Sequence, residues 1–377
     1  MYTIEKGGAG RWGQQGTEWY KKPVHCFLWW DGGDSMTSKE LVLRTLEFRN
    51  TEERAPRQLW TLPWATEHYP ETMKQLEQEF IWDFDGPQVQ YQAVAPTQGD
   101  PYAVGEYTDE WGCVFTNIHG GVIGEVKRPI VLDDDWADVG NVHIPEELLS
   151  FNVEQVNASC AEKKDKFLFG GCCPRPFEQL QFIRGTANLY MDLLDPPRAM
   201  LDFFERMHDF YCRLLTKWAE TNVDALNMMD DWGSQNDLLI SPALWDQYFR
   251  PMYRDYIEIA HSHGKKMFMH SDGNTLRIIP KLIDLGLDAM NSQIFCMGVE
   301  NLAQFKGKLT FWGEIDRQNL IPHGTLSEID AAVASVCETL WQDGGCIAQC
   351  EFGPGANPEN ILRIYRAWER LLPSQKG

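Results

Sequence analysis

From Lys166 onward, short apolar runs alternate with longer amphipathic ones, a beat that predicts strands followed by helices. Residues 167–170 (FLFG), 224–229, 266–270, 288–291, 309–312 and 346–350 read as short buried strands. Between the first two, residues 201–219 carry Phe203, Phe204, Met207, Phe210, Tyr211, Leu214 and Leu215 at helical spacing, so one face is built for a core. Ser241 with Pro242 opens a helix expected to run to about Ser262. Residues 276–285 form another that Gly286 stops, and 329–341 and 357–372 read as the last two. Upstream, Ser38 is placed to cap a helix through Leu41, Leu43, Leu46 and Phe48, and 57–65 is β-leaning, with Pro63 expected to end the strand.

Two stretches break the beat. Residues 1–35 are rich in Gly and Trp without a period and read as an N-terminal extension. Residues 86–146 are turn-rich, with Gly112, Gly120, Gly121 and Gly124 between β-like runs at 113–115 and 121–126, and are expected to form a β-hairpin excursion inside one domain spanning 36–377. Strand–helix alternation with short connections is the pattern of a parallel α/β fold, and a count approaching eight pairs favours a (β/α)8 TIM-type barrel over an open sheet. No fixed repeat of solenoid length is present.

Charge and composition narrow the classes of function. The chain has 377 residues, enough for one large barrel, and its 55 acidic against 34 basic residues give a net charge of −21 with no basic stripe. That argues against nucleic-acid and anionic-membrane partners. No run of about 18 apolar residues and no apolar leader is seen, so no membrane span is expected. Ten Cys without a CxxC framework point to a reducing, cytoplasmic setting. Fifteen Trp suit either a bulky core or a pocket walled with flat rings.

In a barrel, chemistry gathers where strands end. Five successive predicted strands end in polar residues: Asp230, Asp231 and Gln235; His270, Asp272 and Asn274; Asn291 and Gln293; Glu314 and Asp316; Gln349, Cys350 and Glu351. His270, Asp272 and Cys350 offer imidazole, carboxylate and thiolate, a set that suits zinc with an open position. The same residues also read without metal, as a His270–Asp272 acid–base pair and a buried, inert Cys350. Asp230 and Asp231 fit either a base or cation-holding role or a helix cap, and Glu314 and Asp316 either catalysis or ion pairs with Arg317 or Arg277. Neither GGAG at 7–10 nor FGPG at 352–355 opens a helix in a phosphate-cradling spacing.

The segments MTSKE at 36–40, DEWG at 109–112, GEV at 124–126 with Pro129, Asp230–Asp231, Ser241–Pro242, HSDGN at 270–274 and ENI at 359–361 together resemble the uroporphyrinogen decarboxylase superfamily, from about Met36 to the C-terminus. True decarboxylases of that superfamily carry an Arg-rich segment that holds the porphyrinogen carboxylates. The matching stretch here, APRQLWTLPWA at 55–65, lacks the paired arginines. The chain is more similar to the cobalamin-dependent methyltransferase branch, which binds zinc through His-x-Cys and a later Cys. That resemblance implies zinc at His270 and Cys350, with Asp272 standing where the family has its first Cys.

An oxygen in place of sulfur makes a harder metal site and a better Lewis acid on an ether or alcohol oxygen. The resemblance then implies transfer of methyl from a small donor, best an aryl methyl ether, to the cobalamin of a separate corrinoid protein. Asp231, Glu314 and Glu351 are the acid–base candidates. Trp64, Asp230, Gln235, Asn274, Gln293 and Trp312 are the candidate substrate-binding residues. Three other readings stand beside it: a cofactor-free decarboxylase of a porphyrinogen or aryl acid, a methylcobalamin-to-thiol or folate methyltransferase, and a non-catalytic ligand-binding barrel.

Overall fold

The computed structural model describes residues 36–372 apart from Glu52; the extension expected at 1–35 lies outside the described residues. The strands are β1 (Arg57–Thr61), β2 (Phe84–Asp85), β3 (Gly105–Thr108), β4 (Val114–Asn117), β5 (Glu125–Arg128), β6 (Phe167–Leu168), β7 (Ala225–Met229), β8 (Lys266–Ser271), β9 (Ala289–Ser292), β10 (Thr310–Trp312) and β11 (Cys346–Phe352). Six of them form a curled parallel sheet in the order β1-β11-β10-β9-β8-β7. β2 and β6 pair in parallel as a second sheet, and β3-β4-β5 make a small antiparallel one inside residues 86–146. A parallel bridge between Phe169 and Ala225 links the end of β6 to β7. Helices follow the strands, with parallel neighbours fixed by ladders such as Phe268↔Ala289 and Phe311↔Cys346.

Successive strand residues point to opposite faces, and the two faces here build two separate cores. Phe167, Ala225, Phe268, Ala289, Trp312 and Ile347 cluster on the concave side, with Trp60, Phe84 and Phe169 packed on them. Met267, Met269, Met290, Phe311, Ala348 and Cys350 belong to the larger core beneath the helices. The amphipathic helix Arg198–Ala219 buries Phe203, Met207, Phe210, Leu214 and Trp218 there.

Local chemistry moved several expected boundaries. Thr37, not Ser38, caps the first helix, in a capping box with Glu40; the Ser38 hydroxyl instead donates to Asp83. Pro63 does not merely end β1: it opens the helix Pro63–His68, where its missing N–H costs nothing. The helix expected from Pro242 to Ser262 is two helices, Pro242–Tyr248 and Arg250–Ser262, because Pro251 can sit in a first turn but not in a helix interior. β2 (Phe84–Asp85) is a strand not expected from the sequence.

Asp83 secures the start of the sheet. Its buried carboxylate accepts from both Arg54 amines (2.7 Å each), from Arg57 N (2.7 Å) and from Ser38 Oγ (2.7 Å), and its own N–H donates to Arg57 O. Asp83→Ala leaves the Arg54 charge and a buried N–H without partners, so chemical denaturation should show a loss of about 3–5 kcal/mol. A loss below 1 kcal/mol would contradict this role.

Candidate metal and active site

Three of the polar residues at the strand ends, Asp231, Asp272 and Asn291, meet at His270. It lies on β8 at the parity of Phe268, so its ring points to the concave side, 5.2 Å from the Trp60 ring. Two loop residues face it: Asp231 Oδ1 and Asp272 Oδ1 each lie 3.6 Å from His270 Nε2. The loops that carry them are locked together. Asp272 N donates to Asp231 Oδ1 at 3.0 Å, Gly233 N donates to Asp272 O, and Asn274 N donates to Ser234 O. The approach is so close that a Cβ on Gly273, whose φ is +77°, would meet Gly233 O at 2.0 Å.

Asn291 fixes the chemistry of the imidazole. Its Nδ2 donates to the Trp312 carbonyl and to Gln349 Oε1 (3.0 Å), which leaves Oδ1 as the acceptor for His270 Nδ1–H at 2.6 Å. In the neutral ring the lone pair then sits on Nε2, facing two carboxylate oxygens. Asp272 Oδ1 is buried and has no hydrogen-bond partner. A lone pair and two carboxylates facing one gap need a cation between them. A proton meets that need in part: burial pulls the His270 pKa down, but Asp272, Asp231, Glu314 and the Asn291 bond together hold it above its ordinary value. A metal ion meets it fully, and the ligand atoms of Asp231, His270 and Asp272 all lie within 4.8 Å of one another.

Cys350 does not join them. On β11, Ile347 packs in the concave core, while Cys346, Ala348 and Cys350 pack beneath the helices. The Cys350 thiol faces helix Pro358–Leu371, 3.4 Å from Tyr365 Oη, and burial pushes its pKa up to about 12. The third group that faces His270 is the Asp231 carboxylate, where the sequence led to an expected sulfur. Cys350 is the small buried hydrophobe of the alternative reading.

Around this cluster lie further charged side chains. Arg317 NH1 contacts Glu351 at 2.5 Å and Glu314 at 3.4 Å, and its NH2 contacts Asp272. Glu314 is almost wholly buried, its Oε2 has no partner, and burial raises its pKa to about 8. On another side, Arg175 pairs with Glu178 at 3.2 Å. Burial raises the Glu178 pKa to about 7, with Arg175 opposing, and it feels both Asp231 and His270.

The six expected substrate residues divide. Gln235 and Gln293 line a cavity of about 90 Å³ together with Phe295, Glu314, Arg317 and Asn319. Asp230 is fully buried; it accepts from Glu178 N (2.7 Å) and Tyr253 Oη (2.6 Å), tying helix Pro176–Arg184 to helix Arg250–Ser262. Asn274 binds the loop carbonyl of Asn236, and Trp312 belongs to the concave core with its indole N–H on Gln58. Trp64 lies after β1, stacked on His68, and its N–H reaches Gly121 of the excursion. Sequence reasoning gave no role to Asn291, Gln349, Arg175 or Glu178. The first two stand in the series of strand-end residues; the others follow β6, whose end carries the same signal.

The nine described cysteines are all free, and no described helix is long and apolar enough to cross a membrane. No curated protein matches the chain. Among solved structures, a methyltransferase from Methanosarcina mazei is similar over 89% of this chain and 99% of that one, with 12% identity and a TM-score of 0.61. At that identity the likeness is one of fold. A dihydropteroate synthase from Anaplasma phagocytophilum with bound 6-hydroxymethylpterin-monophosphate covers 45% of this chain and 68% of that one (17% identity, TM-score 0.33). Another, from Coxiella burnetii with pteroic acid, covers 40% and 57% (13% identity, TM-score 0.28). The sequence pattern described as uroporphyrinogen decarboxylase (URO-D) matches residues 111–371, more than half of the chain. The chain thus belongs to the uroporphyrinogen decarboxylase family.

Proposed function

We propose that this chain is a metal-assisted methyltransferase of a corrinoid-dependent system, acting at the mouth of a closed (β/α)8 barrel. Closure is supported by the Phe169↔Ala225 bridge, by the Asp83 N–Arg57 O bond beside β1, and by one concave core shared by side chains of β1, β2 and β6 to β11. The observation that carries the functional reading is the gap in which His270 Nε2 faces Asp231 and Asp272 with an orphaned Asp272 oxygen. One nitrogen and two oxygens fit zinc or a similar divalent ion with an open position.

Such an ion supplies Lewis acidity to the methyl-bearing oxygen of the donor. The protein's own residues do the rest. Asn291 holds the His270 tautomer. Gln235, Gln293 and Phe295 line the cavity in which a small donor sits beside Glu314. Glu314 keeps its proton up to about pH 8 and presents a free oxygen. As the methyl–oxygen bond breaks with its electron pair going to oxygen, that oxygen takes the Glu314 proton. The methyl passes to the reduced corrinoid of a separate partner protein that docks at the mouth.

The test is the visible-spectrum change of reduced cobalamin mixed with the zinc-loaded protein and a panel of methoxyarenes, methanol and methylamines. A change with an oxygen-bound methyl donor is expected. No change with any donor, or turnover of methylamines alone, would overturn the reading. A second reading, a metal-free decarboxylase, is favoured by one observation: a proton held on His270 also fills the gap between the carboxylates. It predicts CO2 release from an aryl acid by protein free of metal.

A further inference from the structure

Carboxylates from three strand ends meet on one guanidinium. Asp272 follows β8, Glu314 follows β10 and Glu351 lies on β11, yet all three contact Arg317. The two oxygens of Asp272 have different fates. Oδ2 is held by Arg317, while Oδ1 is buried, unpartnered, and 3.6 Å from His270 Nε2. Leaving a buried oxygen without a partner costs about 1–3 kcal/mol, a cost that an ion in the gap would offset.

We propose that Arg317 is a positioning residue for the metal centre: it grips the outer oxygen of Asp272 and thereby presents the inner one to the ion. This rests on the metal reading above. The guanidinium is itself braced, with Nη1 on Glu351 at 2.5 Å and Glu314 at 3.4 Å, so Asp272 beyond β8 is tied through it to β11 and to the loop after β10. Ligand carboxylates need such outer partners, whose loss costs about 10- to 100-fold in metal affinity.

Charge and geometry act in opposite directions here. A guanidinium near a divalent cation repels it, so deleting the charge favours metal binding, while losing the rigid fork disfavours it. Arg317→Lys separates the two: the charge stays, and the planar three-way grip is lost. Zinc affinity of the purified full chain, measured by competition with a chromophoric chelator, should fall about 10-fold or more in Arg317→Lys. Glu351→Asp keeps every charge and shortens the brace; it should lower affinity in the same direction by less, and it carries the test alone if Arg317→Lys does not fold. Unchanged affinity in the folded variants, with wild type binding zinc, overturns the role of Arg317 alone. Wild type that binds no zinc overturns this inference and the metal reading together.

Discussion

His270→Ala is expected to strip the divalent ion from the protein and to slow methyl transfer roughly a thousandfold or more. The ion's Lewis acidity is worth several kcal/mol in the transition state, and each 1.4 kcal/mol or so is a factor of ten. His270 is the only nitrogen in the set, flanked at 3.6 Å by Asp231 and Asp272, and its removal leaves two carboxylates facing each other across the gap. The variant should still fold, because the polar ring belongs to neither hydrophobic cluster. Its check is metal content by elemental analysis beside turnover of the best donor. A His270→Ala protein that keeps both its metal and its activity would contradict the assignment.

The second large effect falls on Glu314. Glu314→Gln removes the only proton the site can deliver from that oxygen and should lower kcat roughly 10²–10⁴-fold while leaving zinc bound. The pH dependence follows from the direction of the shift. Burial raises the Glu314 pKa to about 8, so the acid is protonated at neutral pH and its contribution disappears as pH rises through about 8. Wild-type kcat should therefore fall above that point, and the residual activity of Glu314→Gln should lack that limb. The same shift gives an expectation for stability against which misfolding can be checked. The folded state binds this proton more tightly than the unfolded chain, so stability from it is full below about pH 4.5 and is lost as pH climbs toward 8. Gln mimics the protonated form, and the variant should be no less stable than wild type at pH 9. A flat kcat–pH profile from 7 to 9 would count against Glu314 as the acid.

The alternation of strands and helices was legible because buried parallel strands are short apolar runs and their helices carry one apolar face, as in Arg198–Ala219. The polar residues at strand ends were legible for the same reason: where an apolar run stops at Met229, Met269 or Trp312, the strand is at or near its end. Which way each residue faces was harder. Asp230 and Asp231 are adjacent in sequence, yet one is a fully buried strut on Tyr253 and the other a wall of the site.

Cys350 shows the limit of matching a motif by position. An anchor on ENI at 359–361 gives a residue number, not a face. Counting by two along β11 decides it, since Ile347, Gln349 and Glu351 share the concave side and Cys350 falls between them. The roles of Asn291 and Arg317 depend on contacts among β8, β9, β10 and β11 that no local pattern contains.

The most direct measurement is the divalent metal content and zinc affinity of three purified proteins: wild type, Cys350→Ser and Asp272→Ala. On the proposed reading the ion would sit between His270 and two carboxylates while the Cys350 sulfur faces Tyr365, so wild type and Cys350→Ser should bind one ion per chain with equal affinity, and Asp272→Ala should lose it. Loss of the metal in Cys350→Ser with retention in Asp272→Ala would contradict this centre.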